Sequence, residues 1–324
     1  MDSAYLSPIK NQLSERRERL LHTNKNIPNS THLLDLLKQV DAALERIDNG
    51  SYGICEICKG EIEAERLAAD PLVTVCLEDL NAHQQKALEL DLEFASKIQR
   101  NLLPQNNLYV NGWELSYHYE PAGPVSGDFC DIIQMADNSV LFVLGDVSGK
   151  GVAASLMMSH LHALIKSLLS FGLSVNELVD KANRLFCEST MNTNYATMVF
   201  GKANTLGEVE ICNAGHNAPL LLSDGIVKPI DATGIPIGLF CEAVYTVEKF
   251  SLKKGDSLLL YTDGLTESFA DGIEYGEARV KSLLTSCHNH SAEAMVRIFL
   301  KDNKEYTGNA SLTDDLTIMA VKKN

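Results

Sequence analysis

The chain has 324 residues, 45% of them apolar and 22% charged, with a formal net charge of −15. That length suits about two globular domains, and the composition is that of an ordinary soluble protein. The acidic excess argues against a nucleic-acid-binding face, which carries a basic stripe, and is compatible with carboxylates gathered around hard cations.

Met1-Asp2-Ser3 leads into a charged stretch with no apolar signal-peptide core. Residues 10–48 are rich in Leu, Arg, Glu and Lys and are interrupted by Asn24 to Ser30. Pro28 ends one helix there, and Ser30 or Thr31 caps the next, so a helical pair is expected. Residues 50–82 hold Cys55-x2-Cys58 and, 17 residues on, Cys76. Asp79 stands where a fourth cysteine would complete a C-x2-C-x17-C-x2-C knuckle. Carboxylate is an acceptable zinc ligand, so Cys55, Cys58, Cys76 and Asp79 form a candidate site for one structural zinc. His83 is a more distant substitute, and without metal the segment is a degenerate knuckle held by its small core. The eight cysteines are otherwise scattered, which fits a reducing compartment better than a disulfide framework. Next comes a helix over about Gln84 to Leu103, with Leu88, Leu92, Ala95, Ile98 and Leu102 close to one stripe. Pro104 stops it.

Beyond residue 110 short β-like runs dominate: Trp113–Glu120, Asp128–Met135, Val140–Val147, Ala196–Ala203, Val209–Asn213, Pro219–Ser223, Val244–Phe250, Ser257–Thr262 and Leu316–Val321. Helical stretches follow the third run (about 151–170 and 175–190) and precede the last strand (about 277–286 and 292–306). The longest apolar stretch, Leu156 to Leu173, is broken by Ser159, His160, His162, Lys166 and Ser167, short of the ~18 uninterrupted apolar residues of a membrane span. Strands in meanders with helices in pairs predict an α+β layered domain. Asp137-Asn138, Asp224-Gly225 and Asp271-Gly272 read as hairpin turns.

Aspartates also stand where strand-like runs begin or end: Asp128, Asp146, Asp263 and Asp314-Asp315. Strand ends lie at a sheet's rim, where carboxylates far apart in sequence can converge. Magnesium and manganese take oxygen ligands and keep waters. Two such ions at about 3.5–4 Å activate a water and stabilise in-line attack on phosphorus. His216, in a Gly/Asn-rich turn, is read as a structural histidine, and His160 and His162 as packing or surface residues. Asp131 is read as a strand residue.

Val125-Ser126-Gly127-Asp128-Phe129-Cys130-Asp131, Leu144-Gly145-Asp146-Val147-Ser148-Gly149-Lys150-Gly151, Tyr261-Thr262-Asp263-Gly264-Leu265-Thr266-Glu267 and Thr313-Asp314-Asp315-Leu316-Thr317 follow in that order. Together with Asn213-Ala214-Gly215-His216-Asn217-Ala218-Pro219 and Gly234-Ile235-Pro236-Ile237-Gly238, they resemble the SpoIIE/RsbU-type branch of the metal-dependent protein phosphatase (PPM) superfamily, over about residues 85–322. The resemblance implies an α-β-β-α sandwich of two packed antiparallel sheets and a dinuclear Mn/Mg site. In it Asp146 bridges both ions, the Val147 carbonyl is a further ligand, Asp128, Asp263 and Asp314 complete the set, and Asp315 stands behind them. Where better-known eukaryotic relatives carry a histidine two residues after the bridging aspartate, this chain has Ser148. Their phosphate-contacting arginine has no clear counterpart, and Lys150 is a candidate to touch phosphate.

Ile47-Asp48-Asn49-Gly50-Ser51-Tyr52-Gly53-Ile54-Cys55, Arg66-Leu67-Ala68-Ala69-Asp70-Pro71 and Cys76 resemble the DksA/TraR-type zinc finger over about residues 35–82, although the tip at Asn26 to Asn29 lacks acidic residues. Phe94 to Pro104 resembles the linker helix that precedes RsbU-type domains and pairs between subunits. The domain scheme is then 1–83 helical segment and finger, 84–105 linker helix, and 106–324 phosphatase domain. The implied activity is hydrolysis of phosphoserine or phosphothreonine. The implied substrate is a phosphorylated STAS-domain anti-sigma-factor antagonist, acted on by a cytoplasmic homodimer with no nucleic-acid or membrane partner. The alternatives are a non-catalytic phosphatase-fold scaffold and a DksA-like regulator of RNA polymerase.

Overall fold

The strand Val140–Val147 sends alternate side chains to opposite faces, and both faces are apolar. Leu141 and Val143 face a core shared with helices, whereas Val140, Phe142 and Leu144 face a second sheet. A strand buried on both sides belongs to the middle of a layered structure, and the sequence Val-Leu-Phe-Val-Leu meets that demand.

The computed structural model describes residues 3–26, 31–79, 82–190, 194–270, 272–308 and 310–324. Pro28, Ser30, Asn29 and Asp271, and the side chains of Thr31 and His83, lie outside the described residues. The chain divides into two compact units, Met1–Asp91 and Leu92–Asn324.

In the first unit α1 (Ser3–Asn26) and α2 (Thr31–Asp48) form the expected pair. Ion pairs tie them, Arg17 Nε to Asp41 Oδ1 at 2.5 Å and Lys10 Nζ to Asp48 Oδ1 at 2.5 Å. Their apolar faces supply Ile9, Leu13, Val40 and Ala43 to a core that also takes Tyr52, Cys55, Ile62, Cys76 and, from the short α3 (Ala64–Ala69), Leu67. The unit boundary falls within α4 (Ala82–Leu102).

The second unit has two antiparallel sheets. The first comprises β1 (Leu108–Val110), β2 (Trp113–Glu120), β7 (Leu220–Ser223), β8 (Ile226–Pro229), β10 (Ser257–Tyr261) and β13 (Leu316–Lys323), in the order β1-β2-β13-β10-β7-β8. The second runs β3-β4-β5-β6-β9, with β3 (Asp128–Gln134), β4 (Val140–Val147), β5 (Ala196–Ala203), β6 (Glu208–Ala214) and β9 (Glu248–Ser251). Between the sheets lie Phe142, Leu144, Val199, Leu258, Leu260, Met319 and Val321. Helices α5 (Gly151–Leu168) and α6 (Val175–Ser189) cover the second sheet, packing Met158, Leu161, Ile165, Leu178 and Phe186 onto it. A capping box of Ser174 and Glu177 starts α6. The turn α7 (Asp263–Thr266) follows β10, and a small hairpin pairs β11 (Phe269–Ala270) with β12 (Ile273–Glu274). Helices α8 (Gly276–Ser286) and α9 (Ala292–Thr307) cover the first sheet through Val280, Leu284, Met295 and Phe299. The layers are helix, sheet, sheet, helix, as expected.

Three features depart from the sequence reading. The run Val244–Phe250 becomes strand only from Glu248, because the Tyr245 N–H donates to Asp180 Oδ1 at 2.9 Å instead of to a neighbouring strand. The stretch Gly151–Phe171, with mean hydropathy 1.3, is long and apolar enough to cross a membrane by length and composition, but here its apolar stripe lies on the second sheet. The scattered cysteines, whose pattern suits a reducing compartment better than a disulfide framework, include a bonded pair, Cys187 of α6 and Cys241 of the loop before β9.

Candidate active site

Strand pairing sets the first two carboxylates side by side. Asp128 opens β3 and stands directly opposite Asp146, near the end of β4. Asp146 in turn stands opposite Thr197 of β5. From the first sheet, the end of β10 delivers Asp263 at the start of α7, and the approach to β13 delivers Asp314. Asp146, Asp263 and Asp314 line one cleft of about 290 Å³, with Ser148, Lys150, Tyr195, Thr197, His216 and Asn217.

Two glycines permit this closeness. A Cβ on Gly127 would meet the Val147 carbonyl oxygen at 2.8 Å and Asp146 Oδ1 at 3.1 Å, and one on Gly264 would meet the Asp315 carbonyl oxygen at 2.0 Å. Both sites exclude any larger residue without backbone movement. Val147, the last residue of β4, is fully buried.

Asp128 lies deeper, 1% exposed. Its Oδ2 accepts from Thr317 Oγ1 at 2.5 Å and from Thr262 Oγ1 at 2.9 Å. Asp315 spends both oxygens on backbone donors, Oδ1 on Ala122 N at 2.8 Å and Oδ2 on Gly127 N at 3.0 Å, so it clasps the segment leading into β3. Ser148 bonds to Tyr195 in both directions, through its own N–H to the Tyr195 carbonyl at 2.9 Å and through its Oγ from the Tyr195 N–H at 3.1 Å. Lys150 is pinned on the rim, its Nζ 2.8 Å from Asp314 Oδ2 and 2.9 Å from the Thr313 carbonyl.

The crowding has an electrostatic signature. Burial, then Asp263 and Asp314, push the Asp146 carboxyl up to about 7. Burial and Asp146 push Asp128 well above the usual carboxylate range, and burial and Asp314 raise Asp263. Such a cluster of hard oxygen donors suits divalent magnesium or manganese, whose charge reverses the repulsion.

His216 is buried at the back of the cleft, Nδ1 2.8 Å from Thr197 Oγ1 and Nε2 3.2 Å from the Tyr261 carbonyl. Burial lowers its pKa to about 4, so it is neutral at pH 7. His160 bonds Ser189 Oγ at 2.7 Å, away from the cleft. His162 meets Asp131, with Nε2 3.0 Å from Oδ2, and Lys166 Nζ lies 2.6 Å from the same oxygen. Burial raises the Asp131 pKa, but these two partners outweigh it and hold it below the usual range. Sequence reading named neither Thr197 nor Tyr195. A strand threonine is unremarkable by propensity, as is a tyrosine just ahead of β5, and only the Asp146–Thr197 pairing singles out the former.

In the first unit, ligand atoms of Cys55, Cys58, Cys76 and Asp79 all lie within 4.8 Å of one another. The Cys58 and Cys76 sulfurs are 3.7 Å apart, close to the about 3.8 Å that two thiolates span on one tetrahedral zinc. Asp79 Oδ2 lies 3.2 Å from Cys55 Sγ and 3.1 Å from Cys76 Sγ. Backbone N–H groups of Ile57 and Cys76 point at Cys55 Sγ, each at 3.4 Å. Next to Asp79 the Cys76 thiol is pushed up to about 12, a mismatch that a bound cation removes. The donor set fits zinc.

Fold and site together define a PP2C-like (PPM-type) phosphatase domain. The family profile described as Stage II sporulation protein E (SpoIIE) matches residues 136–324, and the chain belongs to that family. A second profile, the prokaryotic dksA/traR C4-type zinc finger, matches residues 50–78. The chain is 28% identical over 266 residues to Protein IcfG of Synechocystis, covering 72% of this chain and 42% of that protein. It is 24% identical over 242 residues to Phosphoserine phosphatase RsbU of Bacillus subtilis, covering 74% and 72% respectively. The chain therefore spans less than half of IcfG's length. In fold it is similar to the SiaA-PP2C domain of Pseudomonas aeruginosa, with TM-score 0.65 and 20% identity over 75% of this chain and 100% of that one.

Proposed function

We propose that this chain is a metal-dependent protein phosphatase that hydrolyses phosphoserine or phosphothreonine. The observation that carries the reading is the convergence of Asp146, Asp263 and Asp314, from two different sheets, on one cleft. In this reading Asp128, Asp146, Asp263, Asp314 and the Val147 carbonyl would hold two Mn²⁺ or Mg²⁺ ions, and the chemistry such ions would supply is activation of a water and neutralisation of phosphoryl charge. Asp128, deeper than the cleft lining, has its Oδ2 taken by Thr262 and Thr317 and would use Oδ1, while Asp315 holds the frame through Ala122 and Gly127. Lys150, on the rim, is placed to exchange Asp314 for a phosphoryl oxygen.

The substrate we propose is a phosphorylated STAS-domain antagonist of an anti-sigma factor, in a partner-switching pathway in the cytoplasm. Residues 84–105 would act as a linker helix that pairs two copies, and residues 1–83 as an input module holding one zinc through Cys55, Cys58, Cys76 and Asp79. Phe94 and Ile98 of α4 are exposed at 67% and 46%, as an unpaired stripe on a dimer helix would be.

The test is phosphate release from a phosphorylated STAS-domain protein by purified full-length chain with Mn²⁺. Turnover that disappears on chelation and in Asp146→Asn is expected. Turnover that survives in Asp146→Asn would overturn the reading.

A further inference from the structure

We propose that Thr197 positions the attacking water by accepting a hydrogen bond from it, in an orientation that His216 imposes. This rests on the phosphatase reading of the cleft. Thr197 stands opposite Asp146 in the β4–β5 pairing, so the two side chains share one face, and both line the cleft.

Hydrogen-bond bookkeeping around His216 fixes the direction of the threonine hydroxyl. Nε2 of His216 lies 3.2 Å from the Tyr261 backbone carbonyl. A carbonyl oxygen only accepts, so Nε2 carries the ring hydrogen. A neutral imidazole has one N–H, which leaves Nδ1 bare. Thr197 Oγ1, 2.8 Å from Nδ1, must therefore donate its single hydrogen to the ring. The turn that carries the ring is held as well, because the His216 backbone N–H donates to Asn213 Oδ1 at 2.8 Å and Asn213 Nδ2 donates to the His216 carbonyl at 3.2 Å.

With its hydrogen committed, the Thr197 hydroxyl turns only lone pairs toward the cleft. Phosphomonoester oxygens are anionic acceptors and gain nothing there. A water molecule has hydrogens to give and fits. Thr197 thus separates the place of the nucleophile from the place of the phosphoryl group and turns a lone pair of the water toward phosphorus. As the water oxygen bonds to phosphorus, the bond from phosphorus to the seryl or threonyl oxygen breaks. One hydrogen of the water ends on hydrogen phosphate and the other, through solvent, on the released hydroxyl. Thr197 keeps its own proton throughout, which makes it a positioning residue.

The test compares Thr197→Val, Thr197→Ser and His216→Phe with wild type in full-length protein. It reads steady-state kinetics on a phosphoserine protein, Mn²⁺ affinity by calorimetry, and melting temperature. Val keeps the shape of Thr but leaves the buried His216 Nδ1 without its donor. Thr197→Val is therefore expected to stay folded and to melt a few degrees below wild type, and kinetics are compared at a temperature where both are fully folded. Its kcat should fall about tenfold or more, as loss of one oriented hydrogen bond predicts, with KM and Mn²⁺ affinity within about twofold on the same reasoning. Thr197→Ser should recover most of kcat, since it keeps the hydroxyl. His216→Phe should lose kcat similarly, and the double variant His216→Phe/Thr197→Val should lose little more, because the two act as a unit. Should His216→Phe fail to fold, the valine–serine pair still decides. Unchanged kcat in Thr197→Val, a serine variant as poor as the valine one, or a kcat loss tracked by weakened Mn²⁺ binding each overturns the role. Wild type that releases no phosphate overturns the phosphatase reading and this inference together, whereas an active wild type with an unaffected valine variant overturns this inference alone.

Discussion

Thr317 Oγ1 donates to Asp128 Oδ2 across 2.5 Å, and the two residues belong to different sheets. Thr262, the residue after β10 of the sheet that holds Thr317, donates to the same oxygen, and its own Oγ1 accepts from Thr317 N at 2.9 Å. The two sheets are therefore pinned to each other at the point where the carboxylates meet.

Thr317→Val keeps the shape and removes one donor from a buried carboxylate. Leaving a buried acceptor short costs about 1–3 kcal/mol. Thermal unfolding of the variant should show that loss, and a variant as stable as wild type would mean that Thr262 alone satisfies Asp128.

Asp146→Asn should act in opposite directions with and without metal. In metal-free protein the wild-type carboxyl is pushed up first by burial and then by Asp263 and Asp314. Removing its charge relieves that repulsion, so the variant melts higher than wild type in a chelator. With saturating Mn²⁺, wild type gains stability through binding and the variant does not, so the order reverses. Paired melting curves with and without Mn²⁺ check the crossover.

The strand-end carboxylates and an α+β layered domain were legible in sequence, because aspartates stand where apolar runs of period two begin or end, whereas the four-layer order was what the family resemblance implied. The division of Leu141 and Val143 from Phe142 and Leu144 follows from the same alternation. What sequence could not yield was partnership at long range. Thr197 looks like any strand threonine until β4 and β5 pair in register. The run from Val244 looks like strand, yet Asp180 of α6 takes its Tyr245 N–H. Cys187 and Cys241 are 54 residues apart and meet only because α6 lies beside the loop before β9. Each depends on packing between elements, which local composition does not encode.

His216 should give the fold an acid limb. Its folded pKa is about 4, below the usual 6.5, because burial disfavours the charged ring. Between those values the unfolded chain binds the extra proton, so stability is full above about pH 6.5 and falls as pH drops toward 4. The contribution is on the order of 3 kcal/mol. Wild-type stability measured from pH 7 to pH 4 should fall more steeply than that of His216→Phe, and parallel curves would contradict the assignment.

The Cys187–Cys241 link spans 54 positions, with Cα atoms 5.4 Å apart. Closing a loop of that size restrains the unfolded chain by about 4 kcal/mol in the chain-entropy account. Cys187→Ser should therefore unfold earlier than wild type in buffer without reductant. In excess dithiothreitol the two should converge, and a persistent gap would assign the cost to lost packing rather than to the lost bond.

The finger offers the last prediction, since Asp79 stands in the fourth position of a cluster in which the Cys58 and Cys76 sulfurs are already at zinc-like spacing. A carboxylate is a harder ligand than thiolate and binds zinc less tightly in a sulfur-rich set. Purified protein should carry one zinc per chain, and Cys55→Ser should carry none. Asp79→Cys should hold zinc more tightly against a competing chelator, and Asp79→Ala less tightly. Because Cys55 and Cys76 are also packed among Ile9, Leu13, Val40 and Ala43, stripping the metal should open residues 1–91 to trypsin while Leu92–Asn324 resists. If Asp79→Ala held zinc as firmly as wild type, Asp79 would be a bystander, and the three cysteines would bind with some other fourth donor.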